Sequence, residues 1–244
     1  MTNILVTGAT SGPGRPLVEK LRAAGHEVRA MSRTPGDGRA TADLSSGAGL
    51  NAALTGAETV VHLATNRRKD LPDTERLLAA ARAAGVAHLV FLSIVGVDRI
   101  PYAYYRDKAA SEQAIAASGI PFTILRATQF HSFPGEVIAM LGGRLFVGGL
   151  KIQPIGVEDV ATRLAELATG APAGRVADIG GPEILEAHDI LTRLQRAGRA
   201  KPRVLSIALP GKTFAAFTAG HHLAGLPGSG TQTFDEWLAS GASK

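Results

Sequence analysis

The sequence contains no cysteine, which removes disulfide scaffolds, thiolate metal sites and cysteine nucleophiles and makes a reducing compartment, the cytoplasm, the natural assignment. No run reaches the ~18 apolar residues that a membrane helix needs, and no cationic leader precedes an apolar stretch, so a soluble, unprocessed chain without a membrane partner is expected. Aromatic residues are only 5% of the chain and are not interleaved with its bases. The formal charge of +5 is dispersed. Only Arg67-Arg68-Lys69 forms a basic run, and it reads as a solvated loop, so nucleic acid is not expected either. The histidines make no His-x-x-x-His pair, and adjacent His221 and His222 would diverge on a helix, so no metal site is expected. A Gly-x-Ser-x-Gly elbow is also missing, which sets Ser/His/Asp hydrolysis aside.

What is present suffices for a substantial core: 244 residues, 45% of them hydrophobic, with 29 glycines and 13 prolines scattered between apolar runs. That pattern fits many short connections between strands and helices. Asn3 to Thr7 reads as a strand, and Leu17, Val18, Leu21 and Ala24 give a helical stripe that Gly25 stops. Strands follow at Glu27 to Met31, Arg39 to Ala42, Thr59 to Leu63, His88 to Ser93 and Phe122 to Leu125, with helices between them ending near Gly85 and Gly119. Their near-continuous apolar character is that of a parallel sheet covered on both faces, so the expected fold is α/β, a Rossmann-type doubly wound parallel sheet. Beyond Arg126 the rhythm breaks, with shorter strands expected at Lys151 to Ile155, Val176 to Ile179 and Val204 to Ala208. Residues 1–127 are therefore expected to form a dinucleotide-binding core. Residues 128–244 would be mainly a small substrate-binding lobe, some of its elements packing back on the core and leaving a ligand cleft above the sheet.

The chemistry concentrates at strand ends. Gly8-Ala9-Thr10-Ser11-Gly12-Pro13-Gly14 joins the first strand to the first helix, where backbone N–H groups and a helix N-terminus can face a pyrophosphate. Gly8 would permit the turn, Gly12 the approach of phosphate, and Gly14 close helix–strand packing, while Pro13 gives up an N–H the first turn does not need. At the second strand's end an NAD enzyme usually has a carboxylate for the ribose; here Ser32 and Arg33 stand, which could bind a 2′-phosphate, with Arg15 in support, so NADP(H) is the expected cofactor. Asp43 could accept from the adenine amino group, with Leu44 beneath the ring, or could be a helix N-cap. Ala64-Thr65 ends the fourth strand near the expected phosphate–ribose path. Tyr104 and Lys108 share one helix face, with Ser93 at the preceding strand's end. An ammonium beside a phenol makes it a better acid, able to protonate a carbonyl oxygen that Ser93 holds as hydride arrives. Tyr105 or a bound water could be the donor instead.

These motifs together resemble the atypical short-chain dehydrogenase/reductase superfamily, in particular its NmrA-like NAD(P)H-binding branch. Val6 to Thr10 with Gly12 and Gly14, Arg29 to Arg33, Phe91 to Val97, Tyr105 to Lys108, Thr123 to Phe130 and Gln153 to Ala161 carry the resemblance over nearly the whole chain. It differs in Ser11 at the middle glycine of one version of the turn, in a tight spacing from Ser93 to Tyr104, and in lacking an Asn-Ala-Gly element. The resemblance implies that Thr128 and Phe130 lie beside the nicotinamide, that Gln153 to Ile155 shape the substrate lobe, and that His131, Phe133 and the stretch to Leu150 line the pocket. It also implies an NADPH-dependent reductase of a small or medium organic carbonyl or conjugated compound, monomeric or homodimeric. Two alternatives stay open: a non-catalytic redox sensor, and an isomerase or epimerase retaining its cofactor.

Overall fold

The computed structural model describes residues 1–10, 12–36, 38–67, 69–201 and 204–241. Ser11, expected in the phosphate turn, and Arg68, expected in a solvated loop, lie outside the described residues. The first elements are β1 (Asn3–Thr7), α1 (Gly14–Ala23), β2 (Glu27–Ser32), β3 (Arg39–Thr41), α2 (Leu50–Leu54), β4 (Thr59–His62), α3 (Asp70–Ala83), β5 (His88–Ile94), α4 (Ala103–Ala116) and β6 (Phe122–Ala127). There follow α5 (Phe133–Met140), β7 (Leu145–Val147), β8 (Lys151–Ile152), α6 (Val157–Thr169), β9 (Gly174–Arg175), β10 (Leu185–Glu186), α7 (Ala187–Arg196), β11 (Leu205–Ile207), α8 (Lys212–Thr218) and α9 (Phe234–Ala239). Two compact units emerge: Met1–Ser93, Ala103–Arg126 and Val160–Ala177 form one, and Ile94–Tyr102, Ala127–Asp159 and Asp178–Lys244 the other.

The first unit carries a 7-stranded sheet in the order β3-β2-β1-β4-β5-β6-β9, flanked by helices: the doubly wound Rossmann arrangement. The pairs β1–β2, β1–β4, β2–β3, β4–β5 and β6–β9 are all parallel. The strand order reverses beside β1, where such sheets bind ligands at the strands' carboxyl ends. Leu5, Val60, Leu89, Phe91 and Ile124 pack with Leu54, Leu77, Leu78 and Ile115 in one core. Ile4 and Val6, which a strand's period of two turns to the opposite face, are equally buried. Helix α1 buries Leu17, Val18 and Leu21 and ends as its sequence requires: Gly25 (φ 85) donates to Arg22 O and His26 donates to Leu21 O, a Schellman closure.

The second unit has two small sheets, β8 with β10 and β7 with β11, around a core of Ile138, Ile152, Leu185, Ile190, Leu194 and Phe234. The strand expected over Lys151 to Ile155 stops at Ile152, because Pro154 has no N–H to give a ladder; pairing resumes at Ile155, bridged to Phe130. The run from Val176 to Ile179 pairs only at its margins, through β9 before it and an Ala127–Ile179 bridge at its end. His221 and His222 lie not on a helix but in the turn after α8, where Gly220 takes φ 78. Among the described residues no helix is long and apolar enough to cross a membrane.

Candidate cofactor and catalytic site

The turn from β1 to α1 is built as close backbone packing. Gly8 has φ 69, and a Cβ there would stand 2.8 Å from Ala64 N. A Cβ on Gly14 would lie 2.2 Å from Gly8 O and 2.8 Å from Ala9 Cα, so the helix start rests directly on the turn. Gly12 is the opposite case: its φ is 51 and none of the described residues lies within 4 Å of its Cβ position, leaving its backbone open to a close ligand. The first turn of α1 closes with Leu17 N–H on Pro13 O and contains no acidic residue. The N–H groups of Gly14 and Arg15 therefore precede the helical ladder at the positive end of the dipole. Thr10 is exposed, and Arg15 reaches Thr10 O at 3.5 Å. These features fit a dinucleotide pyrophosphate.

Beyond β2, the Ser32 hydroxyl accepts from Thr34 N–H at 3.1 Å and Arg33 is exposed. Asp43 is not a helix N-cap: α2 begins at Leu50 behind Gly49. Its carboxylate instead closes a local turn, accepting from Ser45 N–H and Ser46 Oγ at 3.0 Å each. The Ser45 N–H bond, the Ser46 hydroxyl and the Arg33 charge hold it below the usual aspartate pKa against some desolvation. Leu44 is buried in the core with Ala42 and Leu50.

His62, which sequence reasoning passed over, braces the turn from below. Thr7 Oγ1 accepts from Leu63 N–H and Ala64 N–H at 3.1 and 3.2 Å, so its own hydrogen goes to His62 Nδ1 at 2.8 Å. That assigns the imidazole hydrogen to Nε2, which faces Thr74 Oγ1 at 3.2 Å, while Thr74 donates to Asp70 O. The ring stacks on Phe91. Burial, then the nearby Lys108 charge, lowers its pKa from 6.5 to about 3. The unfolded chain binds this proton at higher pH than the folded one, so stability is full above 6.5 and falls as pH drops toward 3. His62 alone should remove about 2 kcal/mol by about pH 5. Urea midpoints at about pH 7.5 and about pH 5 check this: His62→Gln should show a smaller loss on acidification than wild type, and equal losses would contradict it.

On the other side of β4, Ser93 is 2% exposed and its Oγ is buried with no hydrogen-bond partner among the described residues, a donor waiting for an acceptor. Tyr104 is half-buried, and its OH lies 3.2 Å from Thr65 Oγ1. Tyr105 is buried at 6% exposure. Lys108 Nζ does not stand alone beside the phenol: it pairs with Asp70 Oδ2 at 3.2 Å, the two side chains only 4% and 2% exposed, and lies over the Phe91 ring. Burial pulls the ammonium's pKa down and Asp70 opposes that, leaving it below the ordinary lysine value. Asp70 was also missed from sequence; its one signal was an acidic residue opening a helix. Ala64 is half-buried and Thr65 exposed.

Thr128 and Phe130 belong to the second unit. Thr128 N–H donates to Ile179 O, and its buried hydroxyl has no partner among the described residues. Phe130 is half-buried. His131 departs from the pocket-lining expectation: it is 2% exposed and packs on Phe234 and Trp237, because an imidazole with two aromatic neighbours is kept in the core, where burial holds it neutral. Phe133 is exposed. Gln153 is fully buried and ties three loop groups, Gly181 O, Gly225 O and Ala224 N–H.

The family model described as NAD(P)H-binding matches residues 8–169. A (4-alkanoyl-5-oxo-2,5-dihydrofuran-3-yl)methyl phosphate reductase of Streptomyces griseus is 35% identical over 209 residues, 79% of this chain and 73% of that protein. A chloroplastic divinyl chlorophyllide a 8-vinyl-reductase of rice is 30% identical over 85% of this chain, which spans 62% of the rice protein's length. In fold, the chain is similar to an NADPH-dependent quinone oxidoreductase of Escherichia coli crystallised with NADPH, with TM-score 0.80, 20% identity and coverage of 97% and 99% of the two chains. Glycine turn, sheet order and matched family model agree, and the chain belongs to the NAD(P)H-binding family.

Proposed function

We propose that this NAD(P)H-dependent oxidoreductase uses NADPH to reduce a small or medium organic carbonyl or conjugated compound. The observation that carries the reading is the juxtaposition, in the first unit, of an open glycine turn with a half-buried phenol and a buried ammonium joined through Asp70. The Streptomyces relative, a reductase named for an oxo-furan phosphate, supports the substrate class. Gly8, Thr10, Gly12, Pro13 and Gly14 would hold the pyrophosphate. Ser32 and Arg33 would take the 2′-phosphate, Arg15 supporting them. Asp43, Leu44, Ala64, Thr65 and Lys108 would follow the adenine and ribose.

The bound cofactor supplies a hydride, two electrons and one hydrogen, to the substrate. Ser93 Oγ–H would hold the oxygen that gains charge. Tyr104 would deliver the proton; Tyr105 is too buried for that task. In the resting site Thr65 gives its only hydrogen to Asp70, so the phenol donates to Thr65 and must turn its hydrogen toward the substrate. The phenolate left behind can then accept from the Thr65 hydroxyl once its hydrogen turns from Asp70 to the phenolate.

Arg33 provides the test. Removing a charge-assisted bond to the 2′-phosphate should weaken NADPH binding by about 10–100-fold and leave NADH binding unchanged. Titration of wild type and Arg33→Ala with both nucleotides measures this; equal wild-type affinity for NADH and NADPH would overturn the assignment. Binding without oxidation of NADPH by any carbonyl or conjugated substrate would favour a sensor instead.

A further inference from the structure

We propose that Asp70, a residue with no role so far in the reaction, positions both working groups of the site: one of its carboxylate oxygens holds the Lys108 ammonium and the Thr65 hydroxyl, and through Thr65 it sets the Tyr104 phenol. This rests on the reductase reading for the roles of Tyr104 and Lys108.

Asp70 Oδ1 accepts from Asn66 N–H at 2.9 Å and Arg67 N–H at 3.1 Å. Oδ2 accepts from Thr65 Oγ1 at 2.6 Å and Lys108 Nζ at 3.2 Å. All four lone-pair directions of the carboxylate are thus used, so it is held rigidly and has no capacity left to act as a base. Burial raises its pKa, but Lys108, Thr65 and the Asn66 N–H outweigh burial and keep it ionised. Thr65 Oγ1, having given its hydrogen to Asp70, accepts from Arg67 N–H at 3.3 Å and from the Tyr104 phenol at 3.2 Å. Asp70 is itself anchored: its N–H and that of Leu71 donate to Asp107 Oδ2, so a side chain of α4 caps the start of α3.

Lys108 is faced by Asp70 from α3, by the neutral His62 from β4, by the Phe91 ring from β5, and by Asp107 and Glu112 from its own helix. Glu112 is committed to Arg126, whose Nε and Nη2 meet it at 2.9 and 2.6 Å, and Asp107 is committed to the α3 cap. Among the described residues Asp70 is the carboxylate in contact with the ammonium. A buried ammonium without its counterion gives up its proton more readily.

The test is Asp70→Asn in the full chain, with folding followed by circular dichroism and NADPH affinity by fluorescence across pH. Wild type should bind NADPH evenly from about pH 7 to about pH 9, whereas Asp70→Asn should lose about tenfold over that interval as Lys108 deprotonates. A folded Asp70→Asn with a flat, wild-type profile would overturn the proposal. Should the variant not fold, NMR titration of Lys108 in wild type decides: an ammonium intact through about pH 9 supports it, and one titrating near neutrality overturns it. Thr65→Val, at an exposed position, reads the second arm: turnover at saturating NADPH should fall about tenfold, and unaltered turnover at saturating NADPH would overturn that arm. Should wild type reduce no substrate, the reductase reading fails, while the pH profile of NADPH binding still decides the role of Asp70.

Discussion

Tyr104→Phe is expected to lower turnover by roughly 10²–10⁴-fold while leaving NADPH affinity unchanged. The substitution removes one hydroxyl from a half-buried ring. Thr65 keeps its bond to Asp70, Lys108 keeps its ion pair, and the ring keeps its edge contact with Tyr105. Only the proton delivered as hydride moves is lost. Steady-state kinetics with fluorescence titration separates the two quantities. Undiminished turnover would hand proton donation to a bound water, and a parallel loss of NADPH affinity would mean that the phenol serves binding.

Gly14→Ala should weaken both fold and cofactor binding. The added carbon would stand 2.2 Å from Gly8 O and 2.8 Å from Ala9 Cα, with Gly8 C at 2.9 Å. All three are backbone atoms of the turn, so no side chain can swing away and the turn or the helix start has to move. Overpacking of this kind costs about 1–3 kcal/mol of stability. A displaced turn misdirects the N–H groups of Gly14 and Arg15 and should reduce NADPH affinity about 10–100-fold. Thermal melts with and without NADPH measure both effects. A variant with wild-type melting and wild-type NADPH protection would refute the account of the turn.

Much of the first unit was legible because its signals are local. The apolar run of Ile4, Leu5 and Val6, the stripe of Leu17, Val18 and Leu21 and the stop at Gly25 each need only neighbouring residues to be read and occur as expected, whereas Ala24, read into the same stripe, is the exposed C-cap of α1. The second unit was less legible: short strands such as β8 are decided by partners such as Leu185 and Glu186, far along the chain, and Pro154 cut short a run whose composition looked like a strand. Asp43 was read as a possible helix cap because Asp favours caps and Asx turns for the same reason, a carboxylate oxygen reaching N–H groups two or three residues ahead.

The site divides the same way. Gly8, Gly12 and Gly14 announced themselves by spacing, and Ser93, Tyr104 and Lys108 by position at a strand end and on one helix face. His62 and Asp70 did not, since their meaning lies in Thr7, Thr74, Thr65 and Lys108, which only the packing of β1, β4, α3 and α4 brings together. His131 erred in the other direction: its place in the sequence suggested a pocket, and its aromatic neighbours Phe234 and Trp237 come from the far end of the chain.

The central claim, that the chain reduces an organic substrate with NADPH, is tested most directly by presenting NADPH deuterated at both nicotinamide C4 positions together with a panel of carbonyls and conjugated enones. The account predicts deuterium in the product, one per NADPH consumed. Tight NADPH binding with constant NADPH absorbance and no label transfer to any member of the panel would contradict it.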